Sequence, residues 1–194
     1  LISAKLGHFL DKPFSPLARR ITVSPNVLTI TGFLITIIAS LFIPFSPLVG
    51  GILILIGGFF DMLDGIVARV NDKKTEFGAL LDSTLDRYSD SIIFVSIAWY
   101  FFNFNNLTGV IFTIISLVGA FLISYVRARA EGINIRCNVG LLERPERIVL
   151  IAFGCIMDLL LIIVILLSVL SHLTAIQRII HAYKETKGRF YNKI

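Results

Sequence analysis

Charge is scarce in this chain. Asp, Glu, Lys and Arg make up 16% of its 194 residues, against 56% hydrophobic residues and a mean hydropathy of +0.85. That balance excludes a soluble globular domain and points to one polytopic membrane domain. Cysteine is nearly absent: Cys137 in a basic polar loop and Cys155 in an apolar run make no disulfide framework. The histidines, His8, His172 and His181, share no metal-ligand spacing. Nothing at the start resembles a cleavable signal peptide, and the lack of an initiator Met suggests residues ahead of Leu1. The pI of about 9.4 reads as membrane topology and attraction to anionic lipid, with no sign of nucleic-acid binding.

What is present is a succession of apolar runs. Residues 1–24 read as an interfacial amphipathic segment, with Leu6, Phe9, Leu10, Phe14 and Leu17 set among Lys5, His8, Lys12, Arg19 and Arg20 and a break near Pro13 and Pro16. Ser24-Pro25-Asn26 reads as a helix start. Spans are predicted from there to about Ile43, from Leu48 to Val70, Phe77 to Phe102 and Leu107 to Ala130. As a single helix, Pro145 to Lys184 would reach roughly 60 Å, twice the hydrocarbon thickness, so a break is expected near Met157-Asp158. Six spans then keep lysine and arginine out of the loops near Pro44–Pro47, Phe102–Asn106 and Asp158, the positive-inside pattern; five would strand Lys184, Lys187, Arg189 and Lys193 on the wrong side. The expected fold is all-α, with an N-terminal juxtamembrane amphipathic helix, six transmembrane helices over residues 25–185 and a basic tail over 186–194. Both termini are expected in the cytoplasm and the protein in the cell membrane.

Inside this apolar sequence stand Asp61, Asp64, Asp82 and Asp86. A carboxylate at the bilayer centre costs roughly 2.5–3.5 kcal/mol on insertion scales, so intramembrane acids are functional by default. Spacings of three and four put each pair on one helix face. The short charged turn Asn71–Glu76 makes the two helices antiparallel neighbours and brings the pairs together. No lysine lies in either stripe, and Arg69 and Arg87 are too few to neutralise four acids. One or two Mg²⁺, or Mn²⁺, are therefore expected among these oxygen ligands rather than zinc. Asp64 precedes Arg69 by five residues, so it sits roughly 8 Å below headgroup level, in a recess open to one aqueous side. Glycine inside a helix costs about 1 kcal/mol relative to alanine. Gly65 and Gly78 beside the acids therefore suggest close approach of a ligand such as a nucleotide diphosphate. Gly50, Gly51, Gly57 and Gly58 read as close-packing positions, and Asp90 as a helix-helix hydrogen-bond partner.

Arginines crowd the expected mouth of this recess. Positive-inside flanking is the rival reading for any one of them, yet an anionic ligand bound here would have to be held beside other negative charge, and arginine's planar fork suits phosphate. Arg127, Arg129, Arg144 and Arg147, with Arg178 on the last span, are the candidates for such a phosphate pocket, which the resemblance described next makes the acceptor's.

The pattern Asp61-x2-Asp64-Gly65-x2-Ala68-Arg69-x8-Gly78-x3-Asp82-x3-Asp86 resembles the complete signature of the CDP-alcohol phosphotransferase family, without departure at any of its eight positions. The resemblance implies a six-helix, homodimeric membrane enzyme that uses an alcohol's hydroxyl to displace CMP from a CDP-linked donor. Asn26 and Thr29 fall in a segment resembling one that approaches the nucleotide in that family, together with Asp61, Gly65, Ala68, Arg69, Gly78 and Asp82. Asp61, Asp64 and Asp82 would hold the metal, with Asp86 touching a second ion and accepting the hydroxyl proton. Ser124–Gly132, Cys137–Arg147 and Asp82–Arg87 resemble the inositol-phosphate branch, where the donor is CDP-diacylglycerol or CDP-archaeol and the acceptor inositol phosphate. Glycerol-3-phosphate, serine, a free polyol as acceptor, or a CDP-inositol donor, are the alternatives within the family. A cation transporter would also use intramembrane acids, but it leaves Gly65, Ala68, Arg69 and Gly78 without a role.

Overall fold

Residues 14–191 are described by a computed structural model, with side chains as far as Gly188. The amphipathic positions expected at Lys5, Leu6, His8, Phe9, Leu10 and Lys12, and the break at Pro13, lie outside the described residues. A short helix α1 (residues 14–20) opens the described chain. Pro16 falls in its first described turn, where a missing N–H breaks no helical bond, so the expected interruption does not occur there. Ala18 is buried with Leu28, Ile66 and Val67, and Phe14 and Ile21 pack around them. The Asn71 side-chain amide donates to the Ala18 carbonyl at 3.1 Å, which ties this segment to the C-terminal end of α3.

Six further helices follow: α2 (Pro25–Phe42), α3 (Pro47–Val70), α4 (Glu76–Asn103), α5 (Leu107–Gly132), α6 (Arg144–Ile156) and α7 (Leu160–Tyr191). Proline stands in the first turn of α2, α3 and α6, where its fixed φ helps start a helix. Thr75 and Asn106 cap α4 and α5 by accepting from the Gly78 and Gly109 N–H groups at 2.9 Å. The connections turn sharply at Asp72, Asn105, Asn134 and Asp158, each at positive φ, a conformation Asn and Asp tolerate best after glycine. The expected break near Met157-Asp158 is one of these turns. The expected tail is no separate segment, because α7 runs on through residue 185 to Tyr191.

Among the described residues four helices, α2, α3, α5 and α7, are long and apolar enough to cross a membrane by themselves. The six spans expected from sequence exceed this number for two physical reasons. α4 is diluted by Asp82, Asp86 and Asp90, and the 13 residues of α6 cover only about 20 Å.

The packing also departs from the expected α3–α4 hairpin. α3 packs chiefly on α2 and α6, and α4 on α2 and α5, with almost no close backbone approach between α3 and α4. Small residues decide this. A Cβ on Gly51 would meet Cys155 Cβ at 2.7 Å and the Ala152 carbonyl at 2.9 Å on α6, while one on Gly57 would meet Thr36 Oγ1 at 2.7 Å on α2. Those close approaches draw α3 to α2 and α6 and leave it facing α4 across a gap. α5 and α7 form the tightest remaining pair, through Gly119 against Ser171 and the Ser116 hydroxyl donating to the Val164 carbonyl at 2.8 Å.

Candidate functional site

The gap between α3 and α4 is a cavity of about 1150 Å³. Its polar end carries Asp61, Asp64, Gly65 and Arg69 from α3, Asp82 and Asp86 from α4, Lys74 from the intervening loop and Arg144 from the start of α6. Its other end is apolar, with Phe33, Ile54, Leu55, Ile93 and Ile148 among the walls. The four-residue and three-residue spacings do what their periodicity requires, aiming both aspartate pairs into this gap although the two helix backbones scarcely approach each other.

Asp61, Asp64 and Asp82 each present a carboxylate oxygen, and the three atoms lie within 4.8 Å of one another. Asp64 is buried, and its Oδ2 has no hydrogen-bond donor. A buried carboxylate oxygen without a donor is costly, and here it faces two further carboxylates. An all-oxygen, anionic donor set of this kind fits Mg²⁺ or Mn²⁺. Thr29 on α2 donates to the Pro25 carbonyl at 3.1 Å and lies against the Asp64 carboxylate.

Asp86 stands next to this group. Arg144 Nη1 is 2.6 Å from Asp61 Oδ2 and 2.7 Å from Asp86 Oδ1, and Arg87 Nη1 is 3.6 Å from Asp86 Oδ2. The sequence placed Arg144 at the mouth; the chain instead sets it among the acids. Position explains the difference, because Glu143 caps α6 and Pro145 starts it, which fixes the first-turn residue Arg144 against the polar end of the gap.

The other expected residues are dispersed. Ala68, Gly78 and Asn26 do not line the cavity. The room beside Gly78 is taken up by the Thr75 hydroxyl and the Asn26 side chain, which a Cβ would meet at 2.8 and 3.0 Å, so this glycine lets Asn26 of α2 approach the start of α4. At Gly65 a Cβ would meet Arg69 Nη1 at 3.2 Å, so the missing side chain lets Arg69 fold back toward the acids. Arg147 is 1% exposed and pairs with Asp90, also buried, Nη2 to Oδ2, at 2.5 Å. It therefore braces α6 against α4 and does not face the cavity. Arg178 is buried too, donating through Nε to the Val139 carbonyl at 2.9 Å and through Nη1 to the Ile123 carbonyl at 2.8 Å. Arg127 pairs with Glu131 at 2.9 Å on the outer part of α5, and Arg129 is exposed beside it. Cys137 and Cys155 are free and buried. Desolvation pushes the Cys137 thiol pKa above its usual value, which disfavours a reactive thiolate. Lys74, Thr36, Ser89 and Glu146 are polar lining residues the sequence did not suggest; the only signal for Lys74 was its place in the turn joining the two aspartate helices.

Comparison with known proteins agrees with this geometry. Residues 22–184 match the family model for CDP-alcohol phosphatidyltransferase. The chain is 39% identical over 189 residues to an archaetidylinositol phosphate synthase of Methanothermobacter thermautotrophicus, covering 94% of this chain and 92% of that one. Among solved structures it resembles Mycobacterium tuberculosis phosphatidylinositol phosphate synthase with CDP-DAG bound, at a TM-score of 0.80 and 34% identity over 87% of this chain and 92% of that one. The same enzyme in complex with manganese and citrate matches at a TM-score of 0.78 and 33% identity, over 89% of this chain and 88% of that one. With its aspartates converging on one cavity and the family model spanning nearly all of the described residues, the chain belongs to the CDP-alcohol phosphatidyltransferase family.

Proposed function

We propose that this protein transfers the phosphatidyl-type group of a CDP-linked lipid, diacylglycerol- or archaeol-based, to the hydroxyl of inositol phosphate and releases CMP. The observation that carries the reading is the amphiphilic cavity itself. Carboxylates and cations sit at one end and apolar side chains at the other, the order in which a lipid with a charged headgroup enters a bilayer protein.

Asp61, Asp64 and Asp82 would hold the divalent cation. When bound, it supplies charge neutralisation of the donor pyrophosphate and of the departing CMP. The chain's own residues do the rest. Arg69, Lys74 and Thr29 line the headgroup end and orient the donor; Gly65 gives Arg69 room to do so. The acceptor's oxygen forms a bond to the lipid-side phosphorus as the bond from that phosphorus to the CMP oxygen breaks. Asp86, one turn beyond Asp82, takes the hydroxyl proton. Of the five arginines assigned to the acceptor, Arg144 lines the cavity and would hold the acceptor's phosphate. Arg127, Arg129 and Arg178 do not line the cavity, and Arg147 acts through Asp90.

Six crossings with cytoplasmic termini belong to the same reading. From Leu160 to Arg178 α7 rises about 27 Å, and Arg178 and His181 both reach the 133–143 loop that follows α5. The chain between α5 and α7 must therefore travel to the far face, and α6 with the turn at Asp158 supplies that passage. Residues 25–185 then form the catalytic domain. The homodimer implied by the resemblance would use an exposed apolar edge, and Val95 and Trp99 on α4 offer one.

The deciding experiment supplies purified full-length protein with CDP-diacylglycerol or CDP-archaeol and follows CMP. Release is expected with inositol phosphate, to be abolished by EDTA and restored by Mg²⁺ or Mn²⁺. Release with serine or glycerol-3-phosphate but not inositol phosphate would refute the acceptor assignment, and release unaffected by EDTA would refute the cation site.

A further inference from the structure

Arg144 occupies an unusual place. Its Nη1 lies 2.6 Å from Asp61 Oδ2, and Asp61 is one of the three carboxylates placed to hold a divalent cation. A cation drawing on Asp61 must compete with a guanidinium already seated there. The opposite side of Arg144 is unfinished. Its Nε is buried without a hydrogen-bond partner and faces Asp90 Oδ1, also buried and without one, at 3.8 Å. That distance is too long for a hydrogen bond and short enough to close by a small side-chain shift. Asp90 cannot move to meet it, because Oδ2 is clamped by Arg147.

We infer that Arg144 is an internal rival of the divalent cation for Asp61, and that Asp90, clamped by Arg147, is the second seat that receives Arg144 when the cation takes Asp61. Asp90 and Arg147 are thus positioning residues acting through Arg144. The arrangement orders the site: cation loading turns Arg144 from a partner of the acids into a cation fixed on one side by Asp90, with its remaining N–H groups free to hold an acceptor phosphate. The inference rests on the reading that Asp61, Asp64 and Asp82 bind a divalent cation.

The test needs no turnover. The full chain in nanodiscs is titrated with Mn²⁺, and the free ion is followed by its EPR signal. Arg144→Gln should bind Mn²⁺ roughly tenfold more tightly than wild type, because the competing charge is gone. A brace lost from α6 would give the opposite sign. Arg144→Lys keeps the charge, but Nζ stops one bond short of the Nη1 position, so this variant should also bind more tightly than wild type; equality with wild type would mean only through-space charge acts. Asp90→Asn should weaken Mn²⁺ binding in the wild-type background and do so far less in Arg144→Gln. Equal weakening in both backgrounds, or no tightening in Arg144→Gln, overturns the inference. If Asp90→Asn does not fold, the two Arg144 variants still decide. Failure of the wild-type chain to bind Mn²⁺ at all would instead overturn the cation-site reading beneath it.

Discussion

Replacing Arg147 by methionine separates a brace from a substrate contact. Arg147 and Asp90 are 1% and 4% exposed, and they join α6 to α4 where the two helices have little other close contact. Removing one partner of a buried ion pair leaves the other charge stranded and costs about 3–5 kcal/mol. Some of that returns, because Asp90 Oδ1 lies 3.8 Å from Arg144 Nε and the freed carboxylate would draw Arg144 across. A net loss of about 2–4 kcal/mol remains, which for a chain of this length corresponds to a fall in Tm of roughly 5–15 °C. The single tryptophan, Trp99, lies on α4 itself, so its fluorescence in a detergent melt reports on the element being released.

The rescue is as informative as the damage. Asp90→Leu with Arg147→Met exchanges the pair for apolar side chains of similar bulk, a replacement that is often neutral or stabilising. This double variant should melt within a few degrees of wild type. A single Arg147→Met variant that melts like wild type and instead raises the KM for the acceptor alone would refute the reasoning. It would return Arg147 to the acceptor pocket where the sequence first placed it.

Asp86→Asn should lower CMP release by at least about 100-fold while binding of the CDP-lipid persists, since the amide keeps the shape and loses the proton acceptor; turnover near wild type would remove Asp86 from that role. For topology, cysteine is introduced at Asn105 or at Lys73 in a chain whose Cys137 and Cys155 are replaced by serine. A membrane-impermeant maleimide added to intact cells should label position 105 and spare position 73 until the cells are opened, and the reverse pattern would invert the six-span arrangement.

The aspartate cluster was legible in the sequence because its signal is thermodynamic: carboxylates in apolar helices at spacings of three and four have few tolerable arrangements. Helix limits were legible for a similar reason, as proline and the Asn or Asp turn residues mark nearly every end. The arginines were not separable. Topology alone places basic residues at the aqueous end of every span, so composition cannot tell Arg144, which enters the acid cluster, from Arg147 three residues on, which turns into the protein. That difference comes from the rotation of α6 about its axis, set by Gly51 against Ala152 and Cys155 at the far end of the helix. The number of spans was obscured for a related reason, because the acids that make the site also lower the hydropathy of α4.

A short turn between two spans ordinarily yields a packed hairpin, and such a hairpin would have pressed the four carboxylates together with no room for a substrate. Here the 71–75 turn fixes how far the adjoining ends of α3 and α4 can separate, while the glycines farther along α3 commit that helix to α2 and α6. α4 also packs on α2, where the Ser96 hydroxyl donates to the Ser40 carbonyl, and on α5. The two aspartate helices are therefore tied at one end and bridged by α2, with little direct contact along their length. The wedge between them is polar at the tie and apolar at depth, so the close-packing glycines, remote from the chemistry, fix the spacing on which the acids depend.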